Sequence, residues 1–378
     1  MSVPIIRLGE NDFPFTSDAA ESFTLPSKFY FGADIFEREK DAIFYKCWLY
    51  AGHASQVSRP GSYLTTRIHD QNVFVIRNAS GRLNGFYNVC QHRGHELVNG
   101  TGRTNIITCP YHAWAYDFDG NLRRARNAEN VKGFAAREFS LKRVRVEEFC
   151  GMVFVNLDSD AVPFSEQVPG LEEDIRRYSP ELEKLEFAQR DAYSVAANWK
   201  VLIDNFLECY HCETAHKDFV NLVDMKSYRS KIYGIYSRHC SGKARTTEST
   251  AYKFEQGDVE FGYAGWFVWP NLTIWAYPGD PNISTLQMIP EEAERTIEYQ
   301  DWFVPGGKPT RQLRDAMDYQ RSILQPEDIS LCEKVQKGLK SKGYNQGRFI
   351  VDSDRSELSE HAVHHFQHLV ARALGEEC

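Results

Sequence analysis

No stretch of this 378-residue chain is apolar over anything near the length that crosses a bilayer. Its start, Met1 to Glu10, has neither the charged opening nor the apolar core of a secretory leader. A cytoplasmic protein with no membrane partner is therefore expected. A basic tract is also missing. The chain has 44 Lys and Arg against 52 Asp and Glu, a formal net charge of −8, which argues against nucleic acid as a partner. No G-x-G-x-x-G opens a helix after a strand, so the chain is not expected to bind NAD(P)H itself. Internal repeats and low-complexity segments are absent. Cysteine is scattered and odd in number, nine in all, which argues against a disulfide framework. Seven of the nine (Cys47, Cys150, Cys209, Cys212, Cys240, Cys332 and Cys378) read as small buried hydrophobes. What is present is an ordinary globular composition, 42% hydrophobic and 25% charged, in a chain long enough for two or more cores.

The remaining two cysteines carry the strongest signal. Cys90-Gln91-His92 is a C-x-H; sixteen residues later Cys109-Pro110-Tyr111-His112 is a C-x-x-H. Each half supplies one thiolate and one imidazole. Such a set can hold zinc or a Rieske [2Fe–2S] cluster. In the cluster, two thiolates take one iron and two imidazoles the other, which raises the reduction potential above that of a four-Cys ferredoxin. Zinc sites more often pair like with like, whereas here both halves are mixed. The aromatic, Gly and Pro residues around the ligands (Arg93-Gly94, Pro110-Tyr111, Ala113-Trp114) fit two tight loops pinching a cluster.

Residues 1–26 are polar and broken by Pro14 and Pro26, as in an arm. Apolar residues at Phe36, Ile43, Phe44 and Cys47 give a helical pattern over Asp34 to Trp48, with Asp34 as candidate cap. Val73 to Ile76 reads as a buried strand followed by a turn at Asn78 to Gly81. Tyr116 to Leu122 reads as a hairpin and Gly151 to Leu157 as a strand. Residues 50–157 are thus expected to form an all-β unit carrying the cluster. Residues 1–49 form an arm and helix before it, and residues 158–378 an α+β region after it. Pro163 and Pro169-Gly170 mark the second boundary. In that last region the spacing predicts a helix around Trp199 to His216. Strands are predicted near Tyr228–Arg238, Phe267–Tyr277, Ile283–Ile289 and Thr296–Phe303, and helices over Thr310–Leu339 and Leu358–Leu374. The arginines between Arg123 and Arg145 read as a solvated face salted by Glu138, Glu147 and Glu148. His361, His365 and His368 read as the polar outer face of the last helix.

The second informative stretch runs from Asn198 to His216. His211 and His216 are five apart, which on an unbroken helix turns them about 140° from each other. To share a metal, the helix must distort or end between them. Two His and one carboxylate on one face of an iron leave three positions open, the facial triad of non-haem Fe(II) oxygenases. The carboxylate candidates are Asp204, Glu208, Glu213, Glu327 and Asp328. Glu327 and Asp328 also suit a helix start behind Pro326, so the residues alone leave the choice open.

Taken together, these motifs resemble the oxygenase α subunit of Rieske non-haem iron oxygenases, from about Phe29 to the C-terminus. The likeness is greatest to the branch of carnitine monooxygenase, choline monooxygenase and the glycine betaine and stachydrine demethylases. Phe86 to Cys90, Asp204 to His216, Pro326 to Tyr344 and Ser359-Glu360-His361 carry it. The resemblance implies that Cys90, His92, Cys109 and His112 bind the cluster and that His211, His216 and Asp328 bind the iron. It implies an α+β fold, a Rieske β domain set into a helix-grip catalytic domain. It also implies a homotrimer in which Glu208, where most relatives have Asp, bridges one subunit's cluster histidine His112 to the next subunit's iron. Gln91 replaces a Pro common in relatives. The electron source would be a separate flavin- and ferredoxin-type reductase.

The implied reaction is hydroxylation of a C–H bond with O₂; at an N-methyl or N-methylene carbon, the product collapses to an aldehyde and a shorter amine. Residues 265–279 alternate aromatic side chains. Trp269, Trp275 and Tyr277, with Phe206 and Tyr210, can form a cage for a quaternary ammonium head. They can equally be sheet core or a stacking surface for an aromatic substrate. Arg238, Lys243 and Arg245 are candidate partners for a substrate carboxylate. The expected substrate is a small quaternary or tertiary amine of the betaine or carnitine kind. The alternatives are ring hydroxylation or dealkylation of an aromatic compound, and, in another class, an electron-transfer or zinc-binding protein.

Overall fold

The computed structural model describes residues 5–6, 12–242, 244–255 and 262–376. The chain divides into two units: Phe44–Glu166, and Met1–Ile43 with Gln167–Cys378.

The unit Phe44–Glu166 is built on β structure. One antiparallel sheet has seven strands, in the order Leu49–His53, Met152–Asn156, Arg143–Phe149, Leu83–Tyr87, Gln71–Arg77, Ser62–Ile68 and Thr101–Arg103. Val73, Phe74, Val75 and Ile76 are wholly buried, as a continuous apolar run predicts for a strand covered on both faces. Asn78 builds the turn that follows: its Oδ1 accepts from Ser80 N and Arg82 N, and Gly81 supplies the left-handed residue at φ 81°. A three-stranded sheet, Ile107–Thr108, Ala115–Tyr116 and Leu122–Arg124, carries the second ligand loop. The arginine-rich stretch is held differently from the expectation. Arg123 pairs with Asp117 at 2.7 Å, and Arg143 donates to Asn84 Oδ1 and Asp119 O. Glu147 instead accepts from Phe164 N and Ser165 N, and Glu148 pairs with Arg77.

The second unit has a seven-stranded antiparallel sheet. Its order is Leu185–Val195, Arg295–Pro305, Ile283–Glu292, Leu272–Ala276, Tyr263–Val268, Tyr236–Ser241 and Arg229–Tyr233. The helix Trp199–Phe206 packs on the strand Ile283–Glu292 and against the helices Gln325–Leu339 and His361–Ala373. Asn198 caps it by accepting from Lys200 N. The N-terminal helix Ala33–Glu39 is tied to it by a buried pair: Glu39 accepts from Lys200 Nζ at 2.5 Å and from Trp199 Nε1 at 2.8 Å. The cap of that N-terminal helix is Gly32, not Asp34, which sits in the first turn.

Three further features bear on the sequence reading. The eleven-residue strand Leu185–Val195 was not anticipated; at the sheet edge its mixed polar sequence shows no clean alternation. On the last helix His361, His365 and His368 are partly exposed, as expected of its outer face, and their rings are hydrogen-bonded, His361 to Ser359 Oγ. His365 bonds Gly234 O and His368 bonds Thr16 O, both at 2.7 Å, and the buried His364 bonds Thr16 O at 2.8 Å. Finally, Cys209 and Cys212 are buried but joined as a disulfide. Cys90, Cys109 and Cys332 are buried free thiols, Cys47, Cys150 and Cys240 are partly exposed, and Cys378 lies outside the described residues.

Candidate active site

The two Cys-His loops have the same backbone. In the first, Cys90 N donates to His95 O and Gly94 N to Cys90 O; in the second, Cys109 N donates to Trp114 O and Ala113 N to Cys109 O. Gly94 and Ala113 occupy the left-handed turn position of each, at φ 75° and 57°. Each loop therefore presents its Cys at the base and its His at the tip. Both thiols are buried at 2%, His92 is exposed and His112 partly so. The His92 and His112 rings lie 4.7 Å apart, and His92 stacks on Trp114. His112 Nδ1 is buried without a hydrogen-bond partner, as expected of a nitrogen reserved for a metal. The four side chains thus fit a cluster whose sulfur edge is inside and whose imidazole edge faces out.

Two residues not singled out from the sequence support this site. Tyr116 Oη accepts from Gln91 N at 3.1 Å, which leaves its proton for Cys90 Sγ at 3.3 Å. Asn88 locks the chain behind the first loop: its Oδ1 accepts from Leu97 N and Val98 N, and its Nδ2 donates to Val98 O. A polar residue just before a ligand loop was the only available signal.

In the second unit the helix Trp199–Phe206 ends before the first histidine. A turn follows, then the short helices Cys212–Ala215 and Lys217–Leu222. The break brings His211 and His216 together, with Nε2 atoms 3.1 Å apart. Asp328 comes from the helix Gln325–Leu339, preceded by a π-helical segment Gln320–Leu324. Pro326 has no N–H for the carbonyl four residues back, and the ladder opens there. Asp328 Oδ1 lies 3.0 Å from His216 Nε2 and 3.6 Å from His211 Nε2. Three donor atoms converge on one point, as a facial triad requires.

The outer ring nitrogens are held as well. His211 Nδ1 meets Glu208 Oε1 at 2.5 Å, and Glu208 Oε2 accepts from His211 N. His216 Nδ1 meets Glu327 Oε2 at 2.8 Å. Carboxylates behind both histidines fix the tautomer and aim Nε2 inward. This separates the two acids that the sequence left open: Asp328 faces the donors' convergence and Glu327 holds His216 from behind. Asp204 is elsewhere, bonded to Tyr30 Oη and Gln367 Nε2. Burial alone would lower the His211 pKa, but hydrogen bonds to Asp328 and Glu208 overcome it and hold it at about 10 without a metal. Burial likewise works against ionised Asp328, yet the two histidines keep it down at about 2. A metal bound there would displace the protons that the metal-free histidines hold.

A cavity opens beside the triad. Phe206, Tyr228, Tyr263, Trp275 and Tyr277 line it, with Leu286, Met288, Glu298 and Gln325. Phe206 stacks on Trp275 at 5.7 Å, and Tyr277 stands edge-on to Trp275 at 5.8 Å. Two of the expected cage residues are not brought here. Trp269 packs in the core against Trp199 and Phe366, and Tyr210 is half exposed outside the lining. Arg238 is paired with Asp174 at 2.7 Å and Arg245 donates to Val220 O; neither lines the cavity. Lys243 lies outside the described residues. Tyr263 was missed because only the sheet decides its facing, and Tyr228 because it sits in the join between a short turn and the strand that begins at Arg229.

Comparison with known proteins agrees with this geometry. A family model described as "Rieske [2Fe-2S] domain" matches residues 47–135, and one described as "Ring hydroxylating alpha subunit (catalytic domain)" matches residues 182–376, over half the chain. The chain is 37% identical over 363 residues to the carnitine monooxygenase oxygenase subunit of Acinetobacter baumannii, covering 96% of this chain and 97% of that one. It is 38% identical over 373 residues to the Escherichia coli subunit of the same name, covering 98% of each. A solved quaternary ammonium Rieske monooxygenase, described in terms of carnitine oxidation and inter-subunit electron transfer, superposes with a TM-score of 0.88 at 35% identity over 98% of this chain and 99% of that one. The likeness of sequence, fold and both sites has one source: the chain belongs to the α subunits of the Rieske non-haem iron oxygenases, which carry one Rieske [2Fe–2S] cluster and one mononuclear iron.

Proposed function

We propose that this α subunit oxidises a small quaternary amine of the betaine or carnitine kind, by hydroxylation beside nitrogen that ends in demethylation or C–N cleavage. The observation that carries the reading is the cavity itself. Aromatic faces surround the space next to the triad, and none of the described residues lining it is Lys or Arg. Such walls hold an alkylammonium head through cation–π attraction without hydrogen bonds, which a quaternary nitrogen cannot donate. The relatives named for carnitine oxidation point the same way.

His211, His216 and Asp328 would hold the mononuclear iron, and Cys90, His92, Cys109 and His112 the cluster. When bound, the two groups supply electrons and the reductive activation of O₂ for C–H hydroxylation. The chain's own work is to place the substrate and route the electron. Phe206, Trp275 and Tyr277 position the cationic head and exclude water. Glu208, on the outer face of His211, accepts from the ring Nδ1 and is the group through which a neighbouring subunit's cluster is coupled. Its carboxylate keeps the His211 ring aimed inward throughout. Assembly as a homotrimer in the cytoplasm with a separate flavin- and ferredoxin-type reductase belongs to the same reading. No helix among the described residues is long and apolar enough to cross a membrane.

The test is a turnover screen. Holoprotein with a compatible reductase and NADH is offered betaines, carnitine, choline and aromatic acids, with O₂ uptake and aldehyde release measured together. Coupled uptake on a quaternary amine is expected. Uptake on aromatic acids alone overturns the substrate assignment.

A further inference from the structure

Glu298 is a buried carboxyl on the cavity wall that neither metal site uses. It stands on the strand Arg295–Pro305, directly across the ladder from Met288 on the strand Ile283–Glu292, and both side chains line the cavity. The residue is 3% exposed. Gln325 donates to its Oε2 at 2.5 Å from the residue just before Pro326. Among the described residues Glu298 makes no salt bridge, whereas Glu208 and Glu327 are engaged by histidines and Asp328 faces both. The aromatic faces of Tyr263, Trp275 and Tyr277 line the same space.

We propose that Glu298 is the anionic anchor for the substrate's cationic head, the residue that makes this cavity select a quaternary ammonium over an uncharged group of the same shape. The inference rests on the quaternary-amine reading above and adds the residue that enforces it. Aromatic faces alone attract a cation modestly, and they also pack against a neutral tert-butyl group. A carboxylate in a dry cavity changes that. Left without a counter-charge it is costly; beside a cation the cost is offset. Burial pushes the Glu298 carboxyl up to about 8, opposed by the Gln325 hydrogen bond and aided by the Asp328 charge, so the unliganded cavity favours the protonated acid and a cation at its side would favour the carboxylate. Gln325 keeps one oxygen turned to the helix, which fixes the carboxyl plane. A neutral aromatic substrate would gain nothing from such a residue and would pay to bury it.

The test compares each cation with its carbon isostere: choline with 3,3-dimethylbutan-1-ol, and 4-trimethylammoniobutyrate with 5,5-dimethylhexanoate. Binding to iron-loaded holoenzyme is measured by calorimetry. The wild type is expected to prefer the cation of a pair, and Glu298→Gln to reduce that preference by about tenfold or more while leaving the neutral isostere's affinity unchanged or improved. Glutamine keeps an oxygen for Gln325, so the tie survives and only the charge is lost. If Glu298→Gln does not load iron, the double variant Glu298→Met/Gln325→Met removes both partners of the bond together, a change that costs little in stability. It is expected to show the same loss of preference. Undiminished cation preference in a loaded variant overturns the anchor but leaves the quaternary-amine reading standing. A wild type that prefers neither cation overturns both.

Discussion

At the scale of single residues, the triad owes its shape to groups behind it. Glu327 touches no converging donor, yet it sets which way His216 points. Glu327→Gln is expected to weaken iron binding about 10–100-fold, the usual cost of losing such a partner, with the cluster's visible spectrum unchanged. Iron titration of the apo variant checks this. Asp204 shows the opposite use of a buried acid. Burial raises its pKa to about 7 against the hydrogen bonds from Tyr30 and Gln367. The unfolded chain releases that proton at an ordinary Asp pKa, near 4, while the native state keeps it until about 7. Its contribution to stability is therefore whole in acid and is lost as pH rises through that window. Asp204→Asn, which has no such proton, should gain in melting temperature over the wild type as the pH goes from 5 to 8. Equal differences at both pH values would refute the assignment.

At the scale of elements, two interrupted helices make the site. The helix that begins at Trp199 stops at Phe206, and the π segment before Pro326 resets the face that follows. Both interruptions place a ligand where a regular helix would not. The strand Tyr263–Val268 contributes an absence: Gly265. A Cβ there would meet Tyr263 Oη at 2.9 Å, Trp275 Cδ1 at 3.2 Å and Phe206 Cζ at 3.3 Å. The glycine leaves the room in which Phe206 and Trp275 stack. Gly265→Ala is expected to raise KM for the preferred substrate several-fold, with iron and cluster content unaltered. An unchanged KM would show that the aromatic wall does not bear on binding. The helix interruption was foreseeable from the spacing of His211 and His216, but the edge strand Leu185–Val195 was not. It pairs with one strand only, so its sequence was not forced into clean alternation.

At the scale of the whole molecule, the proposed electron route runs between chains, which makes it testable by mixing. Cys109→Ala subunits should lack the cluster's red-brown colour, and His211→Ala subunits should keep the colour but lose iron. Neither should turn over alone. Co-assembled, a chain with an intact cluster can sit beside a chain with intact iron, and a measurable fraction of wild-type activity is expected to return. If size-exclusion chromatography shows mixed assemblies and no activity returns, the route between chains is refuted. Within the chain, the buried Glu39–Lys200 pair ties the N-terminal helix to the helix leading into the triad. Its two residues stand 161 apart in the chain, and nothing in the sequence marks them as a pair.

The sequence by itself singled out the residues whose chemistry suits a metal site. Cysteine, histidine and aspartate are chemically singular, and their spacing within one loop is local information; Cys90, His92, Cys109 and His112 were legible for that reason, as were His211 and His216. Spacing left Asp328 and Glu327 open and the resemblance implied Asp328; the tertiary structure turns Asp328 toward both histidine Nε2 atoms and Glu327 behind His216, because adjacent acids differ by the direction in which one helix presents them. It also decided the cage. Trp269 and Trp275 are indistinguishable as letters in an alternating run, yet one packs into the core and the other lines the cavity. That choice is made by position along the helix Trp199–Phe206: Trp269, in the turn after Val268, meets Trp199 at its start, and Trp275 meets Phe206 at its end, contacts between segments far apart in the chain. Glu298 falls in the same class: a charged residue in a strand reads as solvent-facing until the helix carrying Gln325 closes over it.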